Sequence, residues 1–176
     1  MASAAIALSA WLEAELRSDQ AGETGAVWIY RGVLATRPDP ALRQFCSQHL
    51  ATEQQHLAEM NALLPPQDRS MLLPIWRIAG FLTGFLPACI SARSVYLTVA
   101  AVETFVQAHY QQQIEHAELH QYPSVKEKLT ACMLDEIDHK DEATNLAGGP
   151  PGAVASRWCA LVGAGSAIAV NLARRV

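Results

Sequence analysis

The order of glutamate and histidine residues constrains the fold more than any other feature of this sequence. A single glutamate precedes a Glu-x-x-His motif, and the same order then occurs a second time. The six residues are Glu23, Glu53, His56, Glu103, Glu136 and His139. Residues three apart on an α-helix share a face, so each motif can present both of its side chains to one point. The pattern predicts four helices that bring all six side chains into one interior.

Prolines and glycines divide the chain into helix-length segments, and strand-like alternation is absent. The predicted helices run from about Ala10 to Ala35, from Asp39-Pro40 to Pro65-Pro66, from Ser91 to Leu119, from Pro123 to Leu146 and from Ala153 to Arg174. An apolar piece from Leu72 to Pro87 contains glycines and is predicted to be broken. Four long helices and one long crossover are typical of ferritin-like bundles. We therefore predict an all-α, ferritin-like four-helix bundle, with a broken apolar helix in the crossover and a C-terminal apolar helix, forming one domain over residues 1–176.

The two halves of the chain resemble each other. Glu23-Thr is followed by Tyr30 just as Glu103-Thr is followed by Tyr110, with the tyrosine seven positions after the glutamate in both cases. The two Glu-x-x-His motifs form the second part of each half. This internal repeat indicates two copies of one helical hairpin.

Each of the four glutamates lies on the apolar stripe of its helix, as Glu23 does between Leu16 and Val27. Unpaired buried carboxylates cost several kcal/mol each, so four of them require cations. Each Glu-x-x-His motif can hold one metal ion, and Glu23 and Glu103 can bridge or cap the pair. Oxygen-rich ligands with one imidazole per ion suit iron or manganese better than zinc. Salt-bridged or partly exposed positions would explain one such glutamate, but explain the ordered set less well.

One further residue, Asp135, is a candidate to support this site. Asp135, four positions before His139, either orients that imidazole or is a solvated carboxylate. His49 is expected to be a core or surface histidine and not a ligand.

Composition and charge limit the partners of the chain. Charged residues make up 17% and the net charge is −4, without the Lys and Arg clusters that nucleic-acid binding needs. The low charge predicts an apolar surface that a partner or a bilayer covers. The apolar runs Ile75–Ile90 and Trp158–Ala173 are shorter than the roughly 20 residues of a spanning helix. They predict docking at a membrane interface and not crossing.

The four cysteines form no Cys-x-x-Cys pair, which favours a reducing compartment. The start, MASAAIALSAW, has no basic region before its apolar residues and is interpreted as the beginning of a helix. We expect a peripheral protein on the cytoplasmic face of a bacterial inner membrane.

The segment from Asp19 to Tyr30 resembles the first-helix signature of the demethoxyubiquinone hydroxylase family. Ala101-Val-Glu103 with His109-Tyr110 resembles that family's third-ligand helix, and Leu73 to Phe81 is similar in character. The resemblance covers roughly Leu12 to Arg175. It departs from the family at Gln20, where a histidine is usual, and within the last motif, where a more acidic run is usual.

This resemblance implies a di-iron monooxygenase that uses dioxygen to hydroxylate the ring of a demethoxyubiquinol, a polyprenyl quinol, at the membrane surface in ubiquinone biosynthesis. It implies that the six Glu and His residues above bind two iron ions, and that Tyr110 and His109 lie near the iron and the substrate channel. An apolar substrate needs an apolar route to the site. Residues Trp76 to Leu86 and the last helix can provide it, or can simply pack on the bundle. A homo-oligomer or partner proteins of ubiquinone biosynthesis are also compatible with this surface.

Three other functions remain compatible with the sequence. A ferritin-like ferroxidase or peroxidase would need a polar exterior, which the two apolar segments argue against. A quinol oxidase would use the same metal ligands without oxygenating its substrate. A scaffold or quinone-binding accessory protein without metal would not need six intact ligands.

Overall fold

The computed structural model describes residues 8–176, and all regular structure within that range is helical. The helices are α1 (Ala10–Ala35), α2 (Pro40–Leu63), α3 (Leu73–Ala88), α4 (Ala92–Glu115), α5 (Pro123–Ala147) and α6 (Ala153–Ala173), with short 3₁₀ turns at Pro66–Asp68 and Ala117–Gln121. The predicted all-α class is confirmed. Most of the MASAAIALSAW segment lies outside the described residues, and α1 begins at Ala10.

Short-range signals set several helix ends. The Ser9 side chain accepts a hydrogen bond from the Leu12 amide, and Asp39 accepts from the first amides of α2, where Pro40 occupies the first position. At the other end of the chain, Gly148 terminates α5 in the left-handed conformation, with φ of 67°. Helix α4 ends at Glu115, earlier than the predicted Leu119, and a 3₁₀ turn continues from there.

Helices α1, α2, α4 and α5 carry the predicted glutamates and histidines on their buried faces. Helix α3, in the crossover between α2 and α4, packs mainly on α1 and also touches α4, while α6 packs on α4 and α1. The result is a helical bundle with the apolar C-terminal helix against one side. Two apolar helices, α3 and α6, therefore flank the α1–α4 side of the bundle.

Helix α3 is continuous, so the predicted break between Leu72 and Pro87 is wrong. Its glycines provide close packing instead: a Cβ on Gly84 would lie 1.9 Å from the carbonyl oxygen of Ile29, and one on Gly80 would lie 2.3 Å from that of Gly25. Pro87 falls in the last turn, where it ends the helix without interrupting it.

Helix α6 has 21 residues, and its most apolar 18-residue window has a mean hydropathy of 1.5 with 11% of its residues buried. By length and composition it could cross a membrane. The prediction that both apolar runs are too short is therefore wrong for this one, because the helix starts at Ala153, before the apolar run itself. Both α3 and α6 expose large apolar side chains to solvent. They are Ile75, Ile78, Leu82, Leu86, Val154, Leu161, Ile168 and Leu172.

Candidate metal centre

The bundle interior brings the six predicted residues together from four helices. Helix α1 contributes Glu23, α2 contributes Glu53 and His56, α4 contributes Glu103, and α5 contributes Glu136 and His139. None of them is more than 6% exposed. Each was placed on an apolar stripe by sequence, and packing those stripes against one another concentrates the carboxylates in the core.

The ligand atoms form two overlapping groups, each with all atoms within 4.8 Å of one another. Glu53 and Glu136 belong to both groups. Glu23 completes the group that contains His56, and Glu103 completes the group that contains His139. Each group could hold a metal ion, and the two groups share Glu53 and Glu136.

The two imidazoles direct Nδ1 toward the carboxylates. His56 Nδ1 lies 3.1 Å from Glu136 Oε1, and His139 Nδ1 lies 3.3 Å from both Glu53 Oε1 and Glu136 Oε2. The other nitrogen of His56, Nε2, lies 3.0 Å from Asp135 Oδ2. Asp135 thus contacts the histidine of the opposite motif, and no hydrogen bond joins it to His139 among the described residues. Its half-exposed side chain fits the alternative of a solvated carboxylate. The contact exists because α5 faces α2 across the site.

Two tyrosines hold Glu23 and Glu103 reciprocally. The Tyr110 hydroxyl on α4 donates to Glu23 on α1 at 2.5 Å, and the Tyr30 hydroxyl on α1 donates to Glu103 on α4 at 3.4 Å. Tyr110 is a predicted site residue, whereas Tyr30 was not predicted to be one. The internal repeat carried the missing signal, since both tyrosines follow a glutamate by seven positions.

Burial and neighbouring charges shift the pKa values of the clustered side chains. Burial, together with the charge on Glu136, raises the pKa of Glu23 to about 7, and burial likewise raises the pKa of Glu53 and Glu103 well above the usual range. Burial alone would raise the pKa of Glu136 too, but hydrogen bonds with both histidines lower it to about 2. Burial also opposes the charged form of His56, yet the surrounding carboxylates raise its pKa to about 10.

Several ligand atoms are buried without a hydrogen-bond partner among the described residues. They are Glu23 Oε2, both carboxylate oxygens of Glu53, Glu136 Oε2 and His139 Nδ1. Native interiors rarely leave buried polar atoms unsatisfied, and such atoms converging on one point are what a cation would satisfy. The donor set fits hard divalent ions such as iron or manganese.

A cavity of about 370 Å³ lies beside the carboxylates, between α1, α3, α4 and α6. Its walls are mostly apolar. They include Trp76, Ala79, Val102, Val106, Leu161, Val162 and Val170, while Glu23, Glu53, Glu103 and Glu136 also line it. Of the aromatic residues predicted for an apolar route, Trp76 lines the cavity, whereas Phe81 packs against Trp28.

A second polar group, called here the Asp19 cluster, comprises Asp19, Ser18, His109 and Gln113. His109 Nε2 lies 3.0 Å from Asp19 Oδ1 and 3.2 Å from Ser18 Oγ, and Gln113 Nε2 donates to Asp19 Oδ1 at 2.8 Å. Ser18, Asp19 and His109 line the cavity. His109 therefore belongs to the cavity wall and not to the carboxylate groups. Asp19 was not predicted as a site residue, although it lies one helical turn before Glu23.

Two other polar residues lie beside the centre but outside both ligand groups. His49 is buried, its ring centroid is 4.0 Å from that of His139, and its Nε2 is 2.9 Å from Glu142 Oε2. Burial, with the charge on His139, lowers the pKa of His49 to about 4. Gln20 is buried and donates to Asn61 Oδ1 at 3.2 Å, so this departure from the family pattern faces α2 and does not line the cavity.

Comparison with known proteins gives consistent matches. Residues 10–173 match the family described as "Ubiquinone biosynthesis protein COQ7". The chain is 31% identical over 136 residues to the "3-demethoxyubiquinol 3-hydroxylase" of Rhodospirillum rubrum. This alignment covers 76% of this chain and 64% of the relative. It is 32% identical over 142 residues to the mitochondrial "NADPH-dependent 3-demethoxyubiquinone 3-hydroxylase" of Dictyostelium discoideum, covering 73% and 61%. The chain thus spans less than two thirds of the length of these relatives. A Caenorhabditis elegans protein with the same name as the second is 26% identical over 92% of this chain and 89% of its own length.

Proposed function

This chain belongs to the ubiquinone biosynthesis protein COQ7 family, and on that premise we propose that it is a di-iron monooxygenase. The proposed reaction is hydroxylation of the ring of a demethoxyubiquinol with dioxygen. One observation carries the proposal: six buried ligand residues, several with unsatisfied atoms, line or adjoin an apolar cavity. Neither a metal cluster nor an apolar cavity alone would favour this reaction, but their contact does.

We assign Glu23, Glu53, His56 and Glu136 to one iron ion, and Glu53, Glu103, Glu136 and His139 to the other. Iron bound by these residues would supply the activation of dioxygen. The apolar walls of the cavity hold the quinol ring beside the carboxylates and keep water away from it. Tyr110, which donates to Glu23, holds that carboxylate in place, and His109 contacts the ring from the cavity wall.

The apolar faces of α3 and α6 support a peripheral position on a membrane surface. A polyprenyl tail resides in the bilayer, so an enzyme acting on its ring gains from a cavity that opens between lipid-facing helices. Both helices line the cavity and both expose large apolar side chains. A ferroxidase or peroxidase would require neither the apolar cavity nor these faces.

The test is to load the protein anaerobically with ferrous iron, add a short-chain demethoxyubiquinol and dioxygen, and measure the product mass. We expect the product to gain one oxygen atom. Glu136→Ala removes a residue shared by both ligand groups and should lose both the iron and the product. Glu127→Ala, exposed on the same helix, is the matched control and should keep both. Two bound irons with oxidation of the quinol but no oxygen gain would indicate a quinol oxidase instead.

A further inference from the structure

The Asp19 carboxylate has one oxygen engaged and one free. Oδ1 accepts from Gln113 Nε2 at 2.8 Å and faces His109 Nε2 at 3.0 Å. Oδ2 is buried and has no hydrogen-bond donor among the described residues. The residue as a whole is only 3% exposed. Since Asp19 also lines the cavity, a ligand there can supply the missing donor.

The hydrogen-bond donors around Asp19 already donate to other protein atoms. The Ser18 hydroxyl donates to the Glu15 carbonyl oxygen at 2.7 Å, and the Gln113 amide nitrogen donates to Glu15 Oε2 at 2.9 Å as well as to Asp19. Asp19 Oδ1 can only accept when ionised, so the hydrogen of His109 lies on Nε2 and points to Asp19. The atoms that face Asp19 therefore offer a ligand no free donor, whereas the Trp76 indole nitrogen, which also lines the cavity, is a buried donor without a partner among the described residues.

Within the cluster, His109 faces only Oδ1 of Asp19. Burial raises the pKa of the Asp19 carboxyl, and the contacts with His109 and Gln113 oppose that shift. Arg174, at the end of α6, donates to Glu15 Oε2 at 2.8 Å and so neutralises Glu15. The arginine contacts His109 Nδ1 only at 3.5 Å.

Asp19 lies four residues before Glu23, and positions four apart on a helix have Cβ atoms about 5–6 Å apart. A small ring held at Asp19 therefore reaches the carboxylate centre.

We propose that Asp19 Oδ2 accepts a hydrogen bond from a ring hydroxyl of the quinol and thereby selects the reduced ring over the oxidised one. A quinol hydroxyl can donate to Oδ2, whereas the carbonyl oxygen of a quinone only accepts and would leave Oδ2 without a donor. This inference rests on the proposed function, because it assumes that the cavity holds the quinol.

The test measures binding with Zn²⁺ replacing iron, so that the metal neither oxidises nor reduces the ligand. Trp76 and Trp158 line the cavity, so quenching of tryptophan fluorescence reports occupancy. A short-chain demethoxyubiquinol and the corresponding quinone are titrated separately. We expect the wild-type chain to bind the quinol at least tenfold more tightly. Asp19→Asn, which offers an amide donor, should remove or reverse the preference, while Asp141→Asn, exposed on α5, should keep it.

The outcomes separate the two proposals. Equal binding of both ligands by the wild-type chain, or a preference that persists in a folded Asp19→Asn variant, overturns the role of Asp19 and leaves the proposed function standing. Binding of neither ligand overturns both. The wild-type comparison needs no substitution, so it decides the question even where Asp19→Asn does not fold.

Discussion

The imidazole of His56 lies between a buried carboxylate on one side and a half-exposed one on the other. Glu136 is 3.1 Å from Nδ1, and Asp135 is 3.0 Å from Nε2. A carboxylate on the outer nitrogen fixes the ring orientation and increases the basicity of the inner nitrogen, and removing such a partner typically costs 10–100-fold in metal affinity. We therefore predict that Asp135→Ala weakens binding of the ion held by His56 about tenfold or more.

Competition between the protein and a chromogenic Fe²⁺ chelator measures that affinity directly. Asp138→Ala is the matched control, because Asp138 is exposed on the same helix three positions away. Equal affinities for the two variants would show that Asp135 does not orient His56.

At the scale of elements, the contact between α3 and α1 depends on close approach of their backbones. Because a Cβ on Gly84 would lie 1.9 Å from the Ile29 carbonyl oxygen, Gly84→Ala must push the two helices apart. We predict a loss of about 2–3 kcal/mol in the free energy of unfolding, measured by urea denaturation. Gly163→Ala on α6 is the control. Among the described residues, nothing outside its own helix lies within 4 Å of its Cβ position, so better helix propensity should add up to about 1 kcal/mol. Equal effects would contradict the close contact.

The exposed faces of α3 and α6 make a separate prediction about membranes. Ile78 and Ile168 are 64% and 62% exposed, and burying one such side chain in an apolar phase contributes about 1.5–3 kcal/mol. Ile78→Glu with Ile168→Glu should therefore weaken binding to phosphatidylcholine–phosphatidylglycerol vesicles at least tenfold in a sedimentation assay. The control pair, Leu134→Glu with Leu146→Glu, changes the charge equally on α5. A similar loss for both pairs would argue against α3 and α6 as the membrane face.

For the whole molecule, the buried carboxylates link stability to pH and to metal. Burial raises the pKa of Glu23 to about 7 in the folded, metal-free protein, against an ordinary value near 4.5 in the unfolded chain. An acid with a raised folded pKa stabilises the protein at low pH and loses that contribution as pH rises through the folded pKa. Between pH 6.5 and 8, Glu23 alone should lower the free energy of unfolding by about 1 kcal/mol. Glu53 and Glu103 act in the same direction, because their pKa values are also raised.

His49 affects stability in a different pH range. Its pKa is lowered from 6.5 to about 4, so it destabilises the folded protein only as the pH falls below about 6.5. We predict that the melting temperature of the metal-free protein falls from pH 6.5 to 8, and that Fe²⁺ or Mn²⁺ raises it more at pH 8 than at pH 6.5. Thermal unfolding with and without metal measures both effects. A metal-induced increase that is larger at pH 6.5 would contradict the linkage.

The sequence by itself determined the helices and the residue types of the centre. Caps such as Asp39, the first-turn prolines and the terminating Gly148 act within a few residues, so they could be recognised without any knowledge of packing. The apolar stripes showed that the glutamates face the interior, and the repeated order of the six residues indicated one shared centre. All of these are local or periodic properties of the chain.

Tertiary structure alone decided which side chains meet. Docking of the two hairpins places Glu53 and Glu136 in both ligand groups, and it gives Asp135 to His56 instead of His139. Backbone contact with α1 turns the glycines of α3 into packing sites, and the approach of α1 to α4 assembles the Asp19 cluster. Such contacts depend on the rotation and spacing of whole helices, which no short stretch of sequence encodes.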